Sequence, residues 1–494
     1  MNQPNQAQKA HGKNSKSAIS PTREENFPEW YQEVVKVADL AENSPTRGSM
    51  IIKPNGYALW ENIQRALDDL IKAEGVQNAY FPLLIPLSFI AKEAEHIDGF
   101  AKECAVVTHH RLEAGPDGKL IPAPDSKLEE PFVIRPTSET IIGDAMARWT
   151  QSYRDLPLLL NQWANVMRWE MRTRLFLRTS EFLWQEGHNA FETAEESNAD
   201  ARKMLEVYND LYENWFAIPG FKGEKTPEER FPGAVNTYTI EAMMQDGKSL
   251  QACTSHDLGQ TFSKSCNIKF QGRDGKEQLA WTTSWGLSTR SIGGLIMTHG
   301  DDDGLIMPPK LAPTQVMILP IIKDESGAGP VLEYAQTLAK RLKEIGVRAK
   351  VDTSDARAPD KMWDAIKKGV PVRVEIGARE VEQNSLTFVR RDIGRDSKES
   401  CSPDEFIARV QGVLNQSHNY LYKRAYDFTR SKVKETKTLG EIQEFFKSEI
   451  GFAKAPVSIL TDASYEAVRK EYSLSSRCLP FEDEGQTVLI GKSY

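Results

Sequence analysis

Between residues 131 and 305 strand-like runs follow one another with few helical stretches between them: PFVIR, NVMRWE, EFLWQEGHNAF, YTIEAMM, NIKFQ and QLAWTTSWG. Strands in such succession pair through hairpins, so the pattern predicts an antiparallel sheet rather than a doubly wound parallel one. At MPPKLAP, residues 307–313, the pattern breaks, and the stretch reads as a linker. From 314 strands and helices alternate: QVMILPII, a helix with Val331, Ala335, Leu338, Leu342 and Ile345 on one face, VRAKVD, KMWDAIKK, PVRVEIG and LTFVRR. That order predicts a compact α/β unit of about 100 residues. Beyond 403 come Lys- and Arg-rich helical stretches and a small α+β unit.

A length of 494 residues accommodates roughly three domains. The expected boundaries are a polar, flexible tail at 1–20, an α+β unit with a central antiparallel sheet at 21–305, the α/β unit at 306–402 and the terminal unit at 403–494. Near the start, Leu59, Ile63, Leu67 and Leu70 recur at helical spacing within 57–73. NAYFPLLIP, residues 78–86, is a short apolar run that suits a buried strand or a subunit contact, with Pro82 at an edge or kink.

A formal net charge of -8 excludes a generally cationic, DNA-coating chain, and leaves local basic patches for any RNA partner. Five scattered cysteines without a CxxC pair fit a reducing, intracellular setting. The first residues carry positive charge but no apolar core, and no run approaches the ~18 apolar residues of a membrane span. A cytoplasmic protein is expected. The ending GQTVLIGKSY resembles a phosphate loop only superficially: Gly485 and Gly491 enclose five residues instead of four, and no helix follows.

Four clusters carry candidate chemistry. In RWEMRTRLFLRTSEFLWQEGH, residues 168–188, two strand-like pieces flank a loop with Arg172, Arg174 and Arg178. Period 2 places Arg168 and Glu170 on one strand face. Arginine's planar fork suits phosphate, and Phe182 can stack on a base; the competing reading is a solvated charged hairpin. In RPTSET, residues 135–140, Thr137 and Ser138 suit helix capping, while Glu139 can either hold an amine or complement a helix dipole. QACTSHDLGQ, residues 251–260, offers Gln251, Thr254 and His256, and Cys253 with His256 lacks the second pair of ligands that zinc requires. In TSWGLSTRSIGGLIMTHG, residues 283–300, Arg290 opens a helix whose Gly293 and Gly294 imply close packing against a neighbouring backbone.

In order and together, these clusters resemble the class II aminoacyl-tRNA synthetases. GVQNAYFPLLIP resembles motif 1, RWE with its basic loop and FLWQEGH resemble motif 2, and SWGLSTRSIGG with Arg290 resembles motif 3. RPTSE and ACTSH narrow the resemblance to the prolyl-tRNA synthetase family, in its archaeal and eukaryote-like type, from about Pro21 to Tyr494.

The resemblance implies ATP with Mg2+, L-proline and tRNA(Pro) as ligands, a homodimer through motif 1, and catalysis by Arg168 and Arg290. The implied ATP site comprises Arg168, Glu170, Arg178, Thr179, Phe182, Gln251, Thr254, Ser288 and Arg290. The implied proline site comprises Thr137, Glu139, Arg168, Trp169, Phe231, His256 and Ser284. Lys361, Asp364, Arg373 and Glu375 are candidates for anticodon contact, against the alternative of a solvated helix face. The Tyr494 carboxylate is expected to reach back toward the active site. Fewer than a hundred residues separate His188 from Ser284, so no editing domain is expected. Many relatives of this type hold zinc with four cysteines; here Cys478 alone remains, and no structural zinc is expected. Two other readings compete: a related enzyme that activates a different small amino acid, and a non-catalytic RNA-binding paralogue.

Overall fold

The computed structural model describes residues 17–94, 103–322 and 328–494. Most of the stretch read as a flexible tail lies outside them. Its end is docked: Ile19 is buried, and its N–H donates to the Asp302 carbonyl at 2.8 Å.

The elements that position the site are, in chain order, helices α1 (Phe27–Val37) and α2 (Pro54–Ala73) and strands β1 (Gln77–Asn78), β2 (Leu158–Met167), β3 (Glu181–Phe191), β4 (Phe221–Glu224), β5 (Asn236–Met243), β6 (Ser249–Gly259) and β7 (Trp281–Ser288). Helices α3 (Glu139–Trp149), α4 (Ala194–Asn214) and α5 (Arg290–His299) accompany them. The α/β unit holds β8 (Val316–Ile321), α6 (Ala328–Glu344), β9 (Ala349–Val351), α7 (Ala358–Lys367), β10 (Val372–Gly377), β11 (Leu386–Arg390) and β12 (Glu399–Cys401). The long helix α8 (Pro403–Ser431) leads to β13 (Val433–Glu435), β14 (Phe452–Pro456), β15 (Ser475–Pro480) and β16 (Thr487–Gly491).

One 11-stranded sheet runs β13-β14-β16-β15-β4-β5-β6-β7-β3-β2-β1. Its central pairs are antiparallel, as expected; β1 with β2 and β13 with β14 are parallel. The terminal unit therefore adds strands to the large central sheet, through Gly223 opposite Pro480. Alternation assigns the two faces of this sheet. On β7, Trp285 and Leu287 enter the core that α4 closes with Met204, Tyr208 and Tyr212, while Ser284, Gly286 and Ser288 face away from it. Gly187 on β3 is required here, since a Cβ would lie 2.1 Å from the Trp285 ring.

The α/β unit has sheet order β9-β8-β10-β11-β12, parallel in its first three strands and antiparallel in the rest. Phe406, Val410, Val413 and Leu414 of α8 complete its core, beyond the boundary expected at 402. The helix α6 ends at Glu344, which leaves Ile345 exposed instead of on the buried face. Residues 307–313 are not a loose linker: Met307, Leu311 and Ala312 are buried in the core beneath the large sheet. Gly293 and Gly294 pack against the side chains of Leu177, Tyr31 and Leu250 rather than a backbone.

Candidate active site

A cleft of about 400 Å³ lies on the sheet face opposite that core. Such a volume suits a small-molecule ligand. Phe182, Trp184, Glu186 and His188 alternate along β3 and reach it together; cross-strand pairing then continues the row, with His188 opposite Ser284 and Ser284 opposite His256. On β6 the register shifts by one residue at Ala252, between the rungs Ile240–Cys253 and Glu241–Gln251. This bulge brings odd-numbered Gln251 to the cleft beside Thr254 and His256.

Fourteen of the sequence-derived residues line the cleft: Thr137, Glu139, Arg168, Glu170, Arg178, Thr179, Phe182, Phe231, Gln251, Thr254, His256, Ser284, Ser288 and Arg290. Trp169 does not. It is 52% exposed, and its backbone N–H donates to the Glu103 carbonyl. Arg168 and Glu170 converge on the cleft, but not as one strand face, because β2 ends at Met167. Nor do Thr137 and Ser138 cap α3: their hydroxyls donate to the carboxylates of Glu139 and Glu186.

Arg168 Nε donates to the Pro136 carbonyl at 2.9 Å, which leaves the two Nη groups for a ligand. Its guanidinium sits 5.7 Å from the Phe182 ring centroid and 5.4 Å from that of Trp184. Burial lowers its pKa against the opposing charges of Glu139 and Glu186; arginine still remains a cation.

Deeper in, burial opposes charge on both Glu186 and His188, yet their 2.9 Å contact holds the imidazole above its usual pKa and the carboxylate below its own. His256 goes the other way. Burial, reinforced by the His188 charge, depresses it to about 3, so it is neutral at pH 7. Its Nδ1 lies 3.0 Å from Thr237 Oγ1 and its ring 4.6 Å from that of Phe231.

At the other end, Arg290 Nη2 donates to the Tyr494 main-chain oxygen at 3.3 Å. The tyrosine is held by its N–H to the Ser249 carbonyl and by its hydroxyl to Asp246 Oδ2, at 3.0 and 2.6 Å. Arg290 Nε and Ser284 Oγ are buried polar atoms without a protein partner, both at the cleft. Burial, then the Arg178 charge, lowers the Arg290 pKa.

The four anticodon candidates fall into two separate groups. Lys361 is buried and donates to the Asp352 carbonyl, and Asp364 pairs with Lys368 at 2.9 Å. Arg373, also buried, pairs with Glu375, which meets Lys398 at 3.4 Å.

Trp184, Glu186 and His188 were not singled out from sequence. The signal was present: Phe182, Trp184, Glu186 and His188 share a parity, and a charged pair interrupts an apolar strand. Among the described residues no group of three or more His, Cys, Asp or Glu side chains could hold a metal, and no helix is long and apolar enough to cross a membrane. Cys478 is buried against Gly223.

A family model for the tRNA synthetase class II core domain (G, H, P, S and T) matches residues 123–299, and one for the anticodon binding domain matches 315–412. The proline–tRNA ligase of Bdellovibrio bacteriovorus is 52% identical over 488 residues, covering 96% of this chain and 97% of that protein. That of Rhodopirellula baltica is 53% identical, covering 97% and 96%. Among solved structures, the prolyl-tRNA synthetase of Cryptosporidium parvum complexed with halofuginone and AMPPNP superposes with a TM-score of 0.87 at 34% identity, over 96% of this chain and 99% of that one. The same enzyme complexed with L-proline and AMP gives a TM-score of 0.86.

Proposed function

The chain belongs to the proline–tRNA ligase family of class II aminoacyl-tRNA synthetases, and from that premise we propose how its cleft divides the work. ATP lies bent over the sheet. Arg168 meets its α-phosphate, the adenine stacks between Phe182 and the Arg290 guanidinium, and Glu170, Arg178, Thr179, Gln251, Thr254 and Ser288 complete the site. Proline lies alongside, its ring nitrogen at Thr137 and Glu139 and its carboxylate at Arg168, with Phe231, neutral His256 and Ser284 shaping the wall. The AMPPNP of one Cryptosporidium structure, and the proline and AMP of the other, are consistent with this assignment. The observation that carries it is the convergence of Arg168 and Arg290 on one cleft beside the Thr137–Glu139 pair.

The proline carboxylate oxygen attacks the α-phosphorus in line, and the bond to the bridging oxygen breaks as pyrophosphate leaves. The terminal ribose hydroxyl of tRNA(Pro) then attacks the carbonyl of the mixed anhydride and AMP departs. The protein supplies alignment and charge rather than a covalent partner. Magnesium needs few protein ligands when it arrives on a triphosphate; Glu170 supplies a carboxylate at the cleft, and the metal would offset phosphate charge. Incubating the enzyme with ATP, labelled proline and a tRNA pool is expected to give proline-charged tRNA(Pro), and unlabelled tRNA would refute the reading.

The chain acts in the cytoplasm, carries no structural zinc and has no editing domain. Supporting the last point, β4, β5 and β6 and the helix α4, which follow motif 2, belong to the catalytic sheet and its core. Efficient hydrolysis of alanine-charged tRNA(Pro) would contradict it. The chain forms a homodimer through motif 1, where Tyr80, Leu84 and Leu87 present exposed apolar surface; a monomeric mass by sedimentation at micromolar concentration would contradict this.

Tyr494 acts on Arg290, and deleting it should slow activation about tenfold through loss of the charge-assisted contact, a larger effect than on stability, which falls through the lost Ser249 and Asp246 hydrogen bonds. Unchanged pyrophosphate exchange in the truncated enzyme would remove that role.

A further inference from the structure

Gln162 stands opposite Glu186 across the β2–β3 ladder and is fully buried. Both ends of its amide are engaged, and each end has only one chemically possible orientation. Its Oε1 accepts the Phe81 N–H at 2.6 Å, and its Nε2 donates to Glu186 Oε1 at 2.8 Å. The same carboxylate oxygen accepts from Ser138 Oγ at 2.6 Å, which leaves Oε2 for His188. Glu186 thus has one oxygen fixed by two neutral donors and the other turned to the imidazole. Glu186 and His188 both line the cleft; Gln162 and Ser138 do not.

The anchor at the far end is rigid as well. Phe81 is buried, and its carbonyl accepts from Arg135 Nη1 at 2.8 Å, so both backbone polar groups of that residue are held by side chains. Arg135 is itself fixed by Asn165, through Nε to the backbone carbonyl at 2.7 Å and Nη2 to the side-chain oxygen at 3.0 Å.

We propose that Gln162 is a positioning residue for amino-acid binding: it transmits the fixed backbone at Phe81 to Glu186, and so sets the orientation of the Glu186–His188 pair in the cleft. This rests on the proposed placement of proline at Thr137, Glu139 and Ser284, the last of which stands opposite His188. The ATP contacts at Phe182 and Arg290 lie outside the chain of hydrogen bonds, so the effect should fall on one substrate.

The bland alternative is a buried glutamine that satisfies interior polar groups and contributes only to stability. Michaelis constants separate the two, measured by pyrophosphate exchange on the purified full-length protein. In Gln162→Met, KM for proline should rise about tenfold, the loss of a hydrogen bond to a carboxylate, while KM for ATP stays within about twofold. Ser138→Ala should shift proline KM in the same direction by a smaller factor. Because both donors act on one carboxylate oxygen, the double variant should fall short of the product of the two single effects. Unchanged proline KM in both single variants, equal shifts for proline and ATP, or strictly multiplicative effects would each overturn the role. If Gln162→Met fails to fold, Gln162→Asn, too short to span Phe81 and Glu186, takes its place: a proline-selective rise in KM supports the role and an unchanged KM defeats it. Absent exchange in the parent would instead defeat the functional reading.

Discussion

Replacing Arg168 with lysine is expected to lower proline-dependent pyrophosphate exchange by about a hundredfold to a thousandfold, the cost of losing a preorganised donor at a site of developing charge. The arginine anchors itself with one nitrogen and keeps the other two for substrate. Nε is committed to the Pro136 carbonyl, and the guanidinium is braced beside Phe182 and Trp184. In the proposed complex the two Nη groups span the proline carboxylate and the α-phosphate and so set the attack line. Lysine offers one nitrogen on a flexible stem and cannot hold the anchor while bridging two ligands. Activity within about tenfold of the parent, in a protein that unfolds at the parent's denaturant midpoint, would contradict the role.

The largest expected stability effect lies beside the Arg290 end of the cleft, at Glu241, which stands opposite Gln251 in the β5–β6 ladder. Its Oε1 accepts from Lys225 Nζ at 2.7 Å and Thr239 Oγ1 at 2.9 Å; its Oε2 accepts from Ser249 Oγ at 2.6 Å and from Arg477 Nε and Nη2 at 3.0 and 2.9 Å. Glu241, Lys225 and Arg477 are all buried, and Arg477 belongs to β15 of the terminal unit. Glu241→Gln would leave two buried cations uncompensated, at a cost of about 3–5 kcal/mol.

The pH dependence follows from the same contacts. Burial disfavours the charged carboxylate, but Lys225, Arg477 and their hydrogen bonds win and bring its pKa from 4.5 to about 2. A carboxyl group whose pKa is depressed on folding stabilises fully above its unfolded value and loses that contribution as pH falls toward the folded one. The stability gap between parent and Glu241→Gln, measured by urea unfolding, should be widest above pH 5 and shrink between about 4.5 and 2. A gap that stays constant through this window would show that the charge is not what matters.

Where a residue's role depends on its own strand, the sequence was a good guide. The alternation in β3 and β7, the helix at Pro54–Ala73 and the arginines of motifs 2 and 3 all lie where their local pattern puts them. What local pattern missed depends on partners distant in the chain. Glu186 and His188 acquire meaning from Ser138 and Gln162, which reach them from 48 and 24 residues before Glu186. Trp169 follows Arg168 out of the strand and turns away, because the ladder ends at Met167, three residues before the Glu170 that the alternation reaches. The bulge at Ala252 inverts the parity of Gln251, and the family resemblance, not periodicity, had placed that residue at the nucleotide. Prolines at 308, 309 and 313 made a buried segment look like a linker, although Met307 and Leu311 carry the apolar surface that holds it in the core. The polar start of the chain likewise masked Ile19, a single apolar residue with a place in the core.

The central claim is that this cleft activates proline. Its most direct test is exchange of labelled pyrophosphate into ATP by the purified full-length protein, with each of the twenty amino acids supplied in turn. The account predicts exchange with proline, weaker exchange with smaller amino acids that fit the same pocket such as alanine, since each missing methylene is worth only ~1–3 kcal/mol, and strong dependence on Arg168. No exchange with proline, or faster exchange with a different amino acid, would contradict it.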